Sequence, residues 1–250
     1  MPESFQPSSY GDAIADVYDE WIGDGPYGVA HAAAEFLARL AGEGGTAVEL
    51  GVGNGRIAIP LAARGIRVTG VEASPRMVQQ PRVKAGGIAL PVIVGDMADI
   101  PVPGSVDLVY VVASTLYALT EQENQLRCLQ NAAARLRPGG HLVVEAFVPD
   151  PSRFDQGQRV AASAVNADRV RLDVTRHDPV TQTLLSQQIA ITTDGVRLIP
   201  ARLRYIWPAE LDLMARLAGL TFVHRNGGWQ GEPYTAASGS HVSVYQRPEP

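Results

Sequence analysis

Between residues 46 and 147, short and almost unbroken apolar runs alternate with amphipathic stretches about a dozen residues long, the pattern of buried parallel strands joined by crossover helices. The runs are Thr46 to Leu50, Arg67 to Glu72, Pro91 to Val94, Val106 to Val112 and His141 to Phe147. Between them, Ile57, Pro60, Leu61 and Arg64 fall on a first helix and Pro75 opens a second. Gln122 to Leu136 forms a third, which stops before Pro138-Gly139-Gly140. Upstream, Ile14 to Tyr18 and Val29 to Leu40 read as flanking or lid helices, with Ala34, Leu37 and Leu40 on one face and Gly42 to Gly45 ending the run. Downstream the period changes to two. After a polar loop from Pro149 to Arg159, the stretch Arg169 to Tyr205 reads as inserted antiparallel hairpins. Pro208 starts a last helix carrying Leu211, Met214 and Leu217, and strands follow at Leu220 to His224 and His241 to Tyr245. The division expected is one domain over 1–250: a helical lid (1–45), a core (46–148), an antiparallel cap (149–206) and a closing helix with two strands (207–250).

Composition narrows the choice of partner. With 46% hydrophobic and 19% charged residues the chain can bury a core, and a formal net charge of −5 is the wrong sign for gripping a polyphosphate backbone, so no nucleic acid is expected. The single cysteine, Cys128, can neither close an intrachain disulfide nor build a thiolate zinc site, and no metal is expected. No apolar run approaches about 18 residues, and residues 1–10 lack a signal pattern. The reading is a cytoplasmic chain that meets no membrane, a monomer or homodimer.

The first strand ends in Val48-Glu49-Leu50-Gly51-Val52-Gly53-Asn54-Gly55-Arg56 and runs into a helix. Alternate glycines let the backbone turn tightly and approach a ligand, and the helix N-terminus offers free N–H groups; a purely structural strand-to-helix turn is the other reading. Glu72 closes the next strand, where an acid can accept both hydroxyls of a ribose. A nicotinamide or flavin site calls for a third glycine where Arg56 stands, and no Gly-Lys-Ser or Gly-Lys-Thr follows, so the pattern points to a nucleoside without pyrophosphate.

These residues resemble the Rossmann-like (class I) S-adenosylmethionine-dependent methyltransferases of small-molecule type. The glycine run 49–55, the acid in Val68-Thr69-Gly70-Val71-Glu72-Ala73-Ser74, Gly95-Asp96-Met97 and the turn Leu136 to Gly140 match in order and spacing. The resemblance implies a doubly wound α/β fold, its seven-stranded sheet mostly parallel with an antiparallel last strand, and S-adenosyl-L-methionine as cofactor, with S-adenosyl-L-homocysteine as product. Carried over by motif, Gly51, Gly53 and Asn54 border the methionine portion, Glu49 positions its amino group, and Glu72 with Ala73 holds the ribose. Asp96 accepts from the adenine amino group, Met97 faces the ring, and Ala113 lines the methionine side. Met97 as a gap filler and Asp96 as a turn cap are the plain alternatives. Tyr10 to Asp19 resembles the family's N-terminal lid, in which Tyr10 and Tyr18 border cofactor and reacting atoms. Sugar amine dimethyltransferases place a histidine after the fourth strand, where this chain has Ser114 to Leu119, so amino-sugar specificity is not inherited.

Methyl transfer from a sulfonium demands alignment more than a catalytic residue, although a base helps when the nucleophile is a hydroxyl or a protonated amine. Tyr10 and Tyr117 are the first candidates beside the transferring methyl. Glu145 is the third, because a carboxylate inside an apolar strand either pairs with a buried partner or meets substrate. The acceptor candidates are Tyr27, His31, Phe147, Trp207, Trp229 and Tyr234, the last two on a 227–240 loop expected to wall the substrate; His31 also reads as a plain helix residue. His141 reads as structural, and His177 as part of a hairpin turn. Residues 151–206 hold eight arginines and five aspartates, which favours an anionic substrate or else describes a solvated hairpin face. The function expected is methyl transfer to an oxygen or nitrogen of a small molecule in secondary metabolism. The rivals are a nicotinamide-dependent oxidoreductase and a cofactor-binding homologue without transfer activity.

Overall fold

A computed structural model of the protein describes residues 5–21, 27–79 and 90–249. Its central sheet has seven strands: β1 (Thr46–Leu50), β2 (Arg67–Glu72), β3 (Val92–Val94), β4 (Val106–Val111), β5 (Leu136–Phe147), β10 (Thr221–Asn226) and β11 (Ser240–Gln246), in the order β10-β11-β5-β4-β1-β2-β3. β1 to β5 pair in parallel, whereas β11 slots antiparallel between β5 and β10. The strands are buried on both faces, which explains their lack of polar alternation. Ala47, Leu108, Tyr110 and Val143 point into a layer under α3 (Tyr27–Ala41) and α4 (Ala58–Ala62). Val48, Val109, Val111, Leu142 and Val144 point the other way, under α6 (Gln122–Arg135) and α7 (Pro208–Leu217). At the amino edge, buried Asp107 ties three strands, accepting from Thr46 N and Oγ1 and pairing with Arg137.

The lid is broken into α1 (Ser9–Ile14), a 3-10 turn (Ala15–Val17) and α2 (Tyr18–Trp21). It is stapled to α5 (Pro75–Val78): Ser74 caps α5 by accepting from Met77 N and donates its hydroxyl to Asp12. The cap is a four-stranded antiparallel sheet of β6 (Gln158–Val165), β7 (Arg169–Asp178), β8 (Thr183–Thr192) and β9 (Gly195–Arg204). Here the structure corrects two expectations. The loop read at 149–159 is shorter than expected and leads into β6, an edge strand whose alanines and serine carry too little apolar signal to announce it. His177 lies within β7, and the turn comes after it, where the Asp178 carboxylate accepts from Val180 N.

The cap grips the rest of the molecule at two places. Fully buried Ile199 and Ala190 pack with Ile14, Ala15, Trp21 and Met77, which joins cap to lid. Buried Arg204 donates to Gln125 Oε1 on α6 and to Glu210 on α7, while Gln125 Nε2 returns a bond to the Arg204 carbonyl.

Candidate functional site

A cavity of about 250 Å³ lies at the carboxyl ends of β1, β2 and β4, roofed by the lid. Its floor is the glycine run. Gly51, Gly53 and Gly55 have φ of 71°, 55° and 81°, values that favour glycine, and Gly51 N and Val52 N both donate to Val71 O to close the turn. A Cβ on Gly51 would stand 2.3 Å from Thr115 Cγ2, so a side chain there would collide with the cavity wall. Glu72 aims its carboxylate at the turn: Oε2 accepts from Gly53 N and Oε1 from Ser74 N, each at 2.9 Å. Burial raises its carboxyl above the ordinary range, and those N–H groups pull it back. Ala73, Asp96, Met97, Tyr10 and Tyr18 complete the part of the lining that the sequence suggested. Asp96 also caps its turn, accepting from Ala98 N at 2.8 Å, as the plain alternative had it.

Next to the glycines lies a polar cluster of which the sequence suggested Glu49 but not its partners. Glu49, 2% exposed, accepts from Tyr110 Oη at 2.9 Å, and burial pushes its carboxyl up to about 8. Arg56 supplies the positive charge that this cluster feels: it acts electrostatically on Tyr18, Glu49 and Glu145, and its Nε is buried without a hydrogen-bond partner among the described residues. A basic residue directly after a glycine run was the available signal; it had served only to argue against a dinucleotide.

A second cavity, about 620 Å³, lies between the end of β5 and the cap. Phe147, Phe154, Leu184, Leu203 and Tyr205 give it an apolar side, and Asp173, Arg159, Gln188 and His177 a polar one. His177 Nε2 meets Tyr205 Oη at 3.0 Å, and its ring lies 4.7 Å from that of Phe154. Residues Ala236 to Gly239 form one wall, so the 227–240 loop does border this space, though not through the aromatics expected of it. Tyr10 lines the first cavity and feels the charge of Asp173 in the second; burial, Tyr18 and Asp173 together raise its hydroxyl.

Several candidates stand elsewhere. Tyr117 is 1% exposed and donates to the Phe147 and Ile206 carbonyls, which makes it a core strut whose hydroxyl lines neither cavity. Glu145 also lines neither. Its Oε2 accepts from Ala113 N and its carbonyl from Ser114 N, holding two non-glycine residues at φ of 54° and 59°. Ala113 therefore belongs to this strained strand end. Asn54 is buried and donates to Asp19 of the lid. Trp229 packs edge-on against Phe36, centroids 5.7 Å apart, in the core layer under α3. Tyr234 sits over the Arg225 guanidinium, Trp207 is exposed beside Tyr205, and His31 is exposed on α3. The side chain of Tyr27 lies outside the described residues. Among the described residues no helix is long and apolar enough to cross a membrane, and no group of three or more His, Cys, Asp or Glu is placed to hold a metal.

A doubly wound sheet with a glycine turn and a half-buried carboxylate beside it at its carboxyl edge has the form of a nucleotide-binding α/β fold. Residues 47–140 match the family described as a methyltransferase domain. The cypemycin N-terminal methyltransferase of a Streptomyces species is 30% identical over 210 residues, covering 82% of this chain and 84% of that protein. The solved structure of the CcbJ methyltransferase from Streptomyces caelestis is 38% identical, with a TM-score of 0.90 over 98% of this chain and 100% of that one. The sugar N-methyltransferase KedS8 from a Streptoalloteichus species shares the fold at 23% identity, with a TM-score of 0.69 over the full length of both chains. The chain belongs to the class I S-adenosylmethionine-dependent methyltransferases, and S-adenosylmethionine is its cofactor.

Proposed function

We propose that the protein methylates the nitrogen of a small-molecule amine in secondary metabolism. The observation that carries this reading is Asp173, a carboxylate unpaired among the described residues that lines the second cavity and acts electrostatically on Tyr10 of the first. An amine arrives protonated and must shed a proton before its lone pair can attack, so a carboxylate in the acceptor space serves an amine better than an alcohol. The 30% identical relative is named for an N-terminal transfer and for one product, cypemycin, which supports both parts of the reading.

In this reading Glu72 accepts the ribose hydroxyls, Asp96 the adenine amino group, and Gly51 and Gly53 let the backbone come close to the ligand. Tyr10 and Tyr18 close the lid over it, and Glu49 with Arg56 sets the floor. Bound S-adenosylmethionine supplies a methyl on a sulfonium whose sulfur leaves neutral. An amine held in the second cavity would receive that methyl, and Asp173 would take the proton the amine must lose, while Phe147 and Phe154 would give the acceptor an apolar wall. The test is mass spectrometry of paired amine and alcohol acceptors incubated with protein and cofactor. One added methyl on the amines is expected; methylation of the alcohols alone would overturn the reading.

A further inference from the structure

The second cavity carries polar groups that the fold leaves without partners. Asp173 and Gln188 are directly opposed across β7 and β8 and both line it. Gln188 Oε1 is buried with no donor, and among the described residues nothing hydrogen-bonds or ion-pairs with the Asp173 carboxylate. Two facing acceptors without a donor call for a cation rich in N–H groups. The neighbouring cation on β7, Arg171, turns to the lid: it donates to the Trp21 carbonyl and lies 5.5 Å over the Trp21 ring, and although its Nε, beside Asp173 and Gln188, is left without a partner among the described residues, it bonds neither of them.

Arg159 completes the pattern. It stands on β6 opposite Thr175, hence diagonal to Asp173, lines the same cavity, and has no ion-pair partner among the described residues. Diagonal neighbours in a sheet lie about 7 to 8 Å apart, within reach of a long side chain, yet no ion pair forms between Arg159 and Asp173, and the gap between them is one a small molecule can span. The rings of Phe154 and His177, 4.7 Å apart and tilted by 34°, sit beyond Arg159, His177 being two residues further along β7 from Thr175.

We propose that this cavity selects acceptors that bear both an amine and a carboxylate. The amine lies on Asp173 and Gln188 at the Tyr10 end, the carboxylate on Arg159, and the apolar body against Phe154 and His177. This inference rests on the amine reading above and goes beyond it by fixing the acceptor as a zwitterion.

The test is calorimetric titration of the protein, alone and saturated with S-adenosylhomocysteine, with 4-(aminomethyl)benzoate, its methyl ester and 4-methylbenzoate. The zwitterion is expected to bind at least about tenfold more tightly than either partial analogue. Arg159→Gln should erase the margin over the ester and keep that over 4-methylbenzoate, and Asp173→Asn should do the reverse, with circular dichroism verifying that both variants fold. Equal binding of the three probes, no binding of any, or a margin that survives loss of its own residue overturns the inference. The two readings fail separately. Methylation of amines regardless of a carboxylate leaves the amine reading standing and overturns this one, whereas methylation of alcohols alone overturns the amine reading itself.

Discussion

Both carboxylate oxygens of Glu72 already accept a backbone N–H, and the residue lines the cavity with acceptor capacity to spare. Replacing it therefore removes a ligand contact and unpins the glycine turn together. Glu72→Ala should weaken S-adenosylhomocysteine binding by about 1.5 to 3 kcal/mol in calorimetry, and unchanged affinity would remove Glu72 from the ribose site. Tyr117 calls for the opposite outcome. Its hydroxyl serves two carbonyls in the core, so Tyr117→Phe should lower unfolding stability by about 1 to 3 kcal/mol while the turnover of folded enzyme stays the same. A collapse of turnover at full stability would return the phenol to the reaction. Glu49 gives a pH signature. Burial raises its carboxyl from 4.5 to about 8, so between those values the native state keeps a proton that the unfolded chain has released. The stability drawn from this group is complete below about pH 4.5 and is lost as pH rises through about 8. Thermal melts from about pH 5 to about pH 8 should therefore fall less steeply for Glu49→Gln than for the wild type.

At the scale of elements, the lid depends more on packing than on charge. The Arg76–Asp16 pair that helps hold it is more than half exposed on both sides, and pairs of that kind contribute little. Ile14 is fully buried against Trp21, Met77, Ala190 and Ile199, joining lid, α5 and cap. Ile14→Ala should cost about 2 to 5 kcal/mol locally and be read as faster proteolysis and amide exchange in residues 9–21, with the core sheet protected as before. The elements best seen from sequence are those with a single unambiguous period. Six of the seven strands of the central sheet are anticipated within two residues, because strands covered on both faces read as apolar runs, whereas β5 begins at Leu136, five residues before the expected His141, and includes the Pro138-Gly139-Gly140 segment that reads as a turn. The glycine turn, Glu72 and the lid tyrosines are legible for the related reason that their chemistry is local. β6 is not, since a small-residue edge strand looks like a loop, and the roles of Tyr117, Trp229 and Glu145 are not, since residue type does not say which side of a wall a side chain occupies. The unpartnered Asp173 and Arg159 depend on register between strands, which only the folded sheet supplies.

Across the whole molecule, cap and core are bound by one buried polar knot, in which Arg204, Gln125, Gln182 and Glu210 satisfy one another across β9, α6 and α7. Losing one member strands the others in a dry place. Arg204→Met should lower urea stability by about 3 to 5 kcal/mol, more than its loss of packing explains, because Glu210 keeps a charge with its main partner gone. A loss below about 1 kcal/mol would show that water reaches the knot. The order of the sheet has a different consequence. β5 finds its second neighbour in β11, which the chain supplies only after the cap, α7 and β10 have been made. On a ribosome, the nascent parallel half therefore waits with the N–H and C=O groups along one edge of the apolar segment 141–147 unpaired until residues 240–246 emerge, and slow translation between them lengthens the time in which a chaperone or another nascent chain can capture that edge.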